Sequence, residues 1–381
     1  MRRSERYDGT VGRTAGRERT GTGGNGRERM EDVMNGALEE YLERIAPGDS
    51  GAMRAAAERH AQLTKPAGSL GVLEELSVKV AGMTGTYAVP APAVVAVFAA
   101  DHGVHAQNVS PWPQEVTAAM LANFAGGGAA VNAFAKNNGV DVRVVDVGVA
   151  TPVEQLDIVH AKVRPGTRDL SRTDALTEDE AHKAIAVGFD LADQLVKDGY
   201  RCLLTGDMGI ANTTASAALI ATFTGATADA VTGRGTGIDD AALAHKTAVV
   251  RDALALHAVP ATEPLKALQA YGGLEHAALA GYILGAAANR TPVILDGVIA
   301  GAAALVAQAF HPAVVDYCVA GHRSAEPGHA VALKQLGLQP LVDLDLRLGE
   351  GTGAVLAYPI LTCAVRALAE MATFEDAGIT S

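Results

Sequence analysis

The run Val94-Val95-Ala96-Val97-Phe98-Ala99-Ala100 stops at Asp101-His102-Gly103, and this junction decides the fold. An unbroken apolar, β-branched stretch without polar alternation describes a strand buried on both faces, as in a parallel sheet covered by helices on each side. The polar residues and glycine that follow mark its carboxyl end. Similar runs recur at Val142–Val147, Tyr200–Thr205, Pro292–Leu295, Ala313–Val319 and Pro340–Leu344, separated by long Ala-rich stretches. Strands alternating with helices make the chain α/β, with a parallel sheet flanked by helices. The runs close on Asp146-Val147-Gly148, Gly206-Asp207-Met208-Gly209, Asp296-Gly297, Gly321-His322-Arg323-Ser324 and the loop from Asp343 to Gly353. Open parallel sheets bind ligands at that edge, so this concentration of polar residues and glycine points to an enzyme site rather than a scaffold.

Moving outward, the 381 residues, 49% hydrophobic, suffice for two domains or for one large domain with a satellite. Apolar residues at helical spacing (Met34, Leu38, Tyr41, Leu42, Ile45) open a small helical region. A second helix follows the capping pair Asp49-Ser50, and the pattern breaks at Lys65-Pro66-Ala67-Gly68-Ser69-Leu70-Gly71 before resuming from Val72 to Met83. The last helix, about Ala354 to Ala372, contains Pro359 and is expected to start late or kink there. Residues 1–30 hold eight Arg, many Gly and almost nothing apolar, so they read as a disordered tail, a solvated appendage or the product of an upstream start codon.

Lys plus Arg number 31 against 43 Asp plus Glu, and the net charge of −12 argues against nucleic acid as a partner. Cys202, Cys318 and Cys363 are far apart and lie in apolar surroundings, which suits buried thiols in a reducing, cytoplasmic compartment. The most apolar run, Val293–Ala309, is interrupted by Asp296-Gly297, so no membrane segment is expected.

Several constellations carry chemistry. Gly209-Ile210-Ala211-Asn212-Thr213-Thr214-Ala215-Ser216 joins a strand to an apolar helix, whose free N–H groups and dipole favour an anion such as phosphate. Ordinary capping by Asn212 or Thr213 accounts for the same residues. Gly233-Arg234-Gly235-Thr236-Gly237 permits close backbone approach to a ligand, and the helix opened by Asp239 and Asp240 carries Lys246, a point charge for a phosphate. Leu348-Gly349-Glu350-Gly351-Thr352-Gly353 places one carboxylate between glycines, either a general base with a raised pKa or a solvent-facing Glu. Trp112, the only tryptophan, sits in Ser110-Pro111-Trp112-Pro113-Gln114 and is either a wall for a flat ligand or a helix-entry staple. His102, His105, His322 and His329 match no strong zinc signature, so no metal is assigned.

Taken in order, Lys65–Gly71, Ala99-Ala100-Asp101-His102-Gly103-Val104 running on to Ser110, Gly206–Thr214, Gly235-Thr236-Gly237, Gly321-His322-Arg323-Ser324-Ala325-Glu326 and Arg347–Gly351 resemble the nicotinate-nucleotide:dimethylbenzimidazole phosphoribosyltransferase family. The resemblance spans about Gln62 to Ala372. It implies a Rossmann-like parallel sheet (91–354), a smaller helical domain built from N-terminal (31–90) and C-terminal (about 355–381) segments, and a homodimer. It also implies a reaction in cobalamin lower-ligand assembly: nicotinate mononucleotide plus 5,6-dimethylbenzimidazole gives α-ribazole 5′-phosphate plus nicotinate, with no cofactor.

The resemblance places the catalytic base at Glu350, with Asp207 as a second catalytic carboxylate. Phosphate and nucleotide contacts fall on Gly209, Asn212, Thr213, Gly235, Thr236, Gly237, Lys246 and Ser324, and benzimidazole contacts on Ser110, Gln114 and Leu348. The family's usual Gly-Glu-Met-Gly stands here as Gly206-Asp207-Met208-Gly209, so the carboxylate at Asp207 is one methylene shorter. A non-catalytic benzimidazole- or nucleotide-binding protein is the alternative, although a mere binder would need no base.

Overall fold

The computed structural model describes residue 36 and residues 38–379; the tail and Met34 lie outside the described residues. After a helical stretch at 38–43 come α1 (Ser50–Gln62) and α2 (Val72–Thr84), then β1 (Ala93–Ala100), α3 (Val116–Ala125), α4 (Ala130–Asn138), β2 (Val140–Gly148) and β3 (Val159–His160). Next follow α5 (Glu178–Lys197), β4 (Cys202–Met208), α6 (Asn212–Thr224), α7 (Ala228–Val231), α8 (Asp240–His257), α9 (Pro264–Tyr271) and α10 (Leu274–Ala288). The chain closes with β5 (Val293–Leu295), α11 (Val298–Phe310), β6 (Cys318–Ala320), α12 (Pro327–Leu336) and α13 (Thr352–Glu370).

Six parallel strands form one sheet in the order β3-β2-β1-β4-β5-β6. This is the doubly wound order, and its strand sequence reverses between β1 and β4, where a crevice opens beyond the carboxyl ends. Every residue of β1 is buried, as its unalternating sequence requires. One face of the sheet is covered by α10 and α11, with α5 packed behind α10; α3, α4 and α13 lie on the other.

Two of the expected strands change character. Pro312–Tyr317 forms a 3₁₀ turn and only Cys318–Ala320 is strand, because a proline at the first position presets helical φ. The stretch 340–344 makes only one parallel bridge, His322 to Val342, and Leu344 is exposed. Pro340 lacks an N–H, and Asp345 just beyond has a left-handed φ of 55°. The two-residue β3 is too short to leave a hydrophobic run.

Helix α13 starts at Thr352, ahead of Pro359, and runs through it without interruption, so the expected late start does not occur. Its first turn is anchored by Asp296 at the end of β5, whose Oδ1 accepts the N–H groups of Gly353 (2.7 Å) and Ala354 (3.0 Å) and whose Oδ2 accepts Gly351 N–H (3.1 Å). By length and composition α13 and the stretch 116–138 would suffice to cross a bilayer; α13 instead contributes Leu361, Val365 and Leu368 to the core, and α3 and α4 are separate helices. Cys202 and Cys318 are buried, but Cys363 is exposed on the outer side of α13, contrary to the expectation of three buried thiols.

The N-terminal and C-terminal segments meet. Asp49 caps α1, as its sequence predicts. Ala56, Ala81 and Leu368 pack together; Arg59 donates to the carbonyls of Leu368 (2.6 Å) and Ala369 (3.1 Å); and Leu63 bridges to Thr373. Leu76, Val80 and Met83 of α2 belong to the main core, so this helical region is continuous with the sheet's packing.

Candidate active site

A cleft opens beyond the carboxyl ends of the strands. Its lining includes Ser110, Asp207, Gly209, Asn212, Thr213, Gly235, Thr236, Lys246, Ser324 and Leu348. Residues separated by more than two hundred positions thus meet because most follow strands of the same parallel sheet, while Gly235, Thr236 and Lys246 come from the α7–α8 loop and α8.

One end of the cleft combines an uncapped helix start with a buried lysine, features that favour an anion. Helix α6 has no side-chain cap, since its N-cap is Ala211 in the left-handed region at φ 76°. The capping alternative for Asn212 and Thr213 is thereby overturned, because both side chains are committed elsewhere. Asn212 Nδ2 donates to Asp207 Oδ2 at 3.0 Å, and Thr213 Oγ1 accepts from Lys246 Nζ at 2.8 Å. Lys246 also donates to Gly233 O at 3.0 Å. Burial lowers its pKa to about 8, which leaves a desolvated cation at neutral pH. Gly235 N–H donates to Glu326 Oε1 at 2.7 Å, and Arg347 reaches Gly235 O at 3.3 Å, so the glycine loop is held from two sides. Arg234, His322, Glu326 and Arg347 also line the cleft. They went unassigned although each lies within a segment quoted above.

The other end is acidic and buried. Burial pushes the Asp207 carboxyl well above the usual carboxylate range; Asp296, Glu275 and Glu350 add to the rise, and Asn212 opposes it. Gly349 packs on Asp207: a Cβ there would lie 3.3 Å from Oδ2, and its φ of 81° favours glycine.

Glu350 is buried and adopts φ 65°, an uncommon conformation for a non-glycine residue. The solvent-facing alternative for this residue is therefore excluded. Its Oε2 accepts Val131 N–H at the start of α4 at 3.5 Å, the outer limit of a hydrogen bond, so the carboxylate is weakly held. Burial raises its pKa and Asp296 adds to the rise, while the Val131 contact lowers it. Glu350 is not among the cleft's lining residues, although Gly349 beside it is.

Gly237 and Gln114 also stand outside the lining. The Cβ direction of Gly237 faces Arg347, and Gln114 Nε2 donates to His102 O at 3.4 Å. Trp112 is half exposed and does not line the cleft; its carbonyl meets His105 Nε2 at 2.8 Å. His102 pairs instead with Glu275, so the two histidines of the 102–105 segment are not joint ligands. The one three-residue cluster able to hold a metal among the described residues is His102, Glu275 and His276, all buried. Glu275 and His276 were missed; their signal is an ionisable pair heading an otherwise apolar helix.

The chain is similar to known proteins over most of its length. A family model described as Phosphoribosyltransferase matches residues 45–379. The nicotinate-nucleotide–dimethylbenzimidazole phosphoribosyltransferase of Salinispora tropica is 57% identical over 359 residues, covering 90% of this chain and 99% of its own. The protein of that name from Chloroflexus aggregans is 51% identical over 346 residues, covering 90% and 98%. The crystal structure of the Thermus thermophilus enzyme of that name superposes with a TM-score of 0.83 at 44% identity, covering 87% of this chain and 99% of that one. With the family model spanning most of the chain and curated relatives matching nearly end to end, the chain belongs to the nicotinate-nucleotide–dimethylbenzimidazole phosphoribosyltransferase family.

Proposed function

We propose that the protein transfers the phosphoribosyl group of nicotinate mononucleotide to 5,6-dimethylbenzimidazole, giving α-ribazole 5′-phosphate and nicotinate in cobalamin biosynthesis. The observation that carries this is the pairing of a built anion site (Lys246, Thr213 and the uncapped start of α6) with the buried, raised-pKa Glu350 beside the same cleft.

The chemistry needs those two parts and little else. The pyridinium of the mononucleotide departs as neutral nicotinate ring nitrogen, so it requires no acid. As one nitrogen of the incoming benzimidazole attacks C1′, the other must lose its proton, and a weakly held carboxylate supplies that step. Glu350 takes this role, and its 3.5 Å contact to Val131 is readily exchanged for the N–H of the base. Asp207, with its protonated form favoured, is placed to bond a ribose hydroxyl or the base. Gly209, Asn212, Thr213, Gly235, Thr236, Gly237, Lys246 and Ser324 hold the nucleotide, and Ser110, Gln114 and Leu348 hold the benzimidazole. Inversion at C1′ converts the β-nucleotide into the α-product, so alignment of phosphate, ribose and both rings is the main contribution of the site.

The protein is further proposed to act in the cytoplasm as a homodimer, with a small helical domain of terminal segments beside the sheet domain and without nucleic-acid or membrane partners. Light scattering would give twice the chain mass of 39.0 kDa for a dimer. The central test is incubation with nicotinate mononucleotide and a panel of benzimidazoles, without added metal, followed by product mass and anomeric configuration. α-Ribazole phosphate is expected; binding without nicotinate release would instead identify a carrier. Glu350→Gln should preserve folding and ligand binding while kcat falls by about 10² or more, the usual contribution of a general base.

A further inference from the structure

Beneath the cleft lies a buried polar chain that the proposed reaction does not use. Glu275, fully buried in the first turn of α10, receives two imidazoles on one oxygen: His102 Nε2 at 2.6 Å and His276 Nδ1 at 2.9 Å. Burial alone would raise its pKa, but the two histidines outweigh that and bring it down to about 2, so the group is ionised. The positive end of the helix dipole favours the same state. Gly273 leaves the carboxylate its niche, since a Cβ there would lie 2.3 Å from Glu275 Oε2 and 2.4 Å from His102 Cε1.

Each imidazole leads to a different half of the cleft. His276 Nε2 meets Ser216 Oγ at 2.8 Å, and Ser216 Oγ donates to Asn212 O at 3.1 Å. His276 Nδ1, 2.9 Å from Glu275 Oε1, is also met by the Gly273 N–H at 3.2 Å, and the Ser216 hydroxyl that meets Nε2 passes the contact on to Asn212. This arm ends on the residue whose amide holds Asp207. The other arm is His102, the residue directly after Asp101 at the end of β1, whose carbonyl accepts the Gln114 amide. One carboxylate is therefore tied to the nucleotide side and to the benzimidazole side of the site.

We propose that Glu275 is a positioning residue that fixes the two substrate half-sites relative to each other, through His276 and Ser216 on one arm and His102 on the other. The inference rests on the phosphoribosyl-transfer reading. In-line displacement between two separately bound rings is sensitive to misplacement of about 1 Å, so a shared tether matters to turnover more than to the binding of either substrate. A hydrogen-bonded cluster explains the distances better than a metal centre, because ligand atoms 2.6 and 2.9 Å apart lie closer than two ligands of one zinc ion would.

The test compares full-length wild type, Glu275→Gln, Ser216→Ala and the double variant in steady-state kinetics with nicotinate mononucleotide and 5,6-dimethylbenzimidazole. Folded fraction and zinc content are measured on the same samples. A wild type that makes no α-ribazole phosphate would refute the underlying reaction before any variant is compared. Given activity, Glu275→Gln should lower kcat per folded molecule by about 10- to 100-fold with both KM values little changed. Ser216→Ala should lower it less, and the double variant should lose less than the product of the two, because both lie on one arm. Unchanged kcat per folded molecule, a rise in KM alone, multiplicative losses, or stoichiometric zinc lost in Glu275→Gln would each overturn the proposal.

Discussion

Asp207 and Glu350 carry opposite costs for folding and for chemistry. A carboxyl whose pKa is raised on folding binds its proton more tightly in the native state, so its stabilising effect is full below the unfolded value and is lost as pH rises through the folded one. For Asp207, driven upward by burial and by three neighbouring acids, neutral pH therefore sets ionisation against stability. Asp207→Asn should raise the stability at pH 7 by about 1 kcal/mol in urea denaturation while reducing turnover, the trade-off common at functional sites. In the role proposed for Glu350 the active form is the base, and burial moves its titration above the ordinary carboxylate range. The pH profile of kcat/KM should accordingly fall on the acid side through a limb lying above pH 4.5, and Glu350→Gln should remove that limb. Residues such as Lys246, Ser324 and Asp207 were legible because each belongs to a polar or glycine-rich segment near a strand's end or on the helix behind it. The partners of Asp296, itself visible at a strand's end, and the His102 partner of Glu275 were not: they lie 55 to 58 and 173 residues away, and no local pattern encodes a pairing of that kind.

Among the elements, α5 and α10 approach so closely that their backbones touch across glycines. A Cβ at Gly188 would lie 1.7 Å from Ala278 O, and one at Gly281 would lie 1.9 Å from Ile185 O. Neither backbone can yield as a flexible side chain would. Gly281→Val should cost at least ~2 kcal/mol, seen as a lowered melting temperature, by forcing the helices apart over β1 and β2. Five of the six apolar runs produced strands at or near their expected places because burial on both faces suppresses alternation, and that absence is itself visible. The stretch 340–344 misled because apolar composition is necessary for a strand while the pairing partner is not written locally. Pro359 did not bring the expected late start, because the cost of a missing helical hydrogen bond is offset in α13 by its anchored first turn and buried face.

At the scale of the molecule, the chain's two ends are stitched together by backbone hydrogen bonds, Thr64 N–H to Ala372 O at 3.0 Å and Phe374 N–H to Gln62 O at 2.9 Å. Truncation before Ala372 should therefore destabilise the protein by about 2 kcal/mol, at roughly 1 kcal/mol per bond, read from thermal unfolding. The order in which the chain leaves the ribosome gives α13 another meaning. This helix carries the Glu350 loop on its leading end and covers the sheet where Gly351 packs against Val95 and Thr205, yet it is synthesised after every strand. A nascent chain halted at β6 would hold the anion site and most of the hydrophobic interior while exposing one flank of its central strands, a sticky surface of the kind chaperones recognise. Synthesis must pass every strand before the chain gains either the carboxylate proposed as its base or the last protective layer of its sheet.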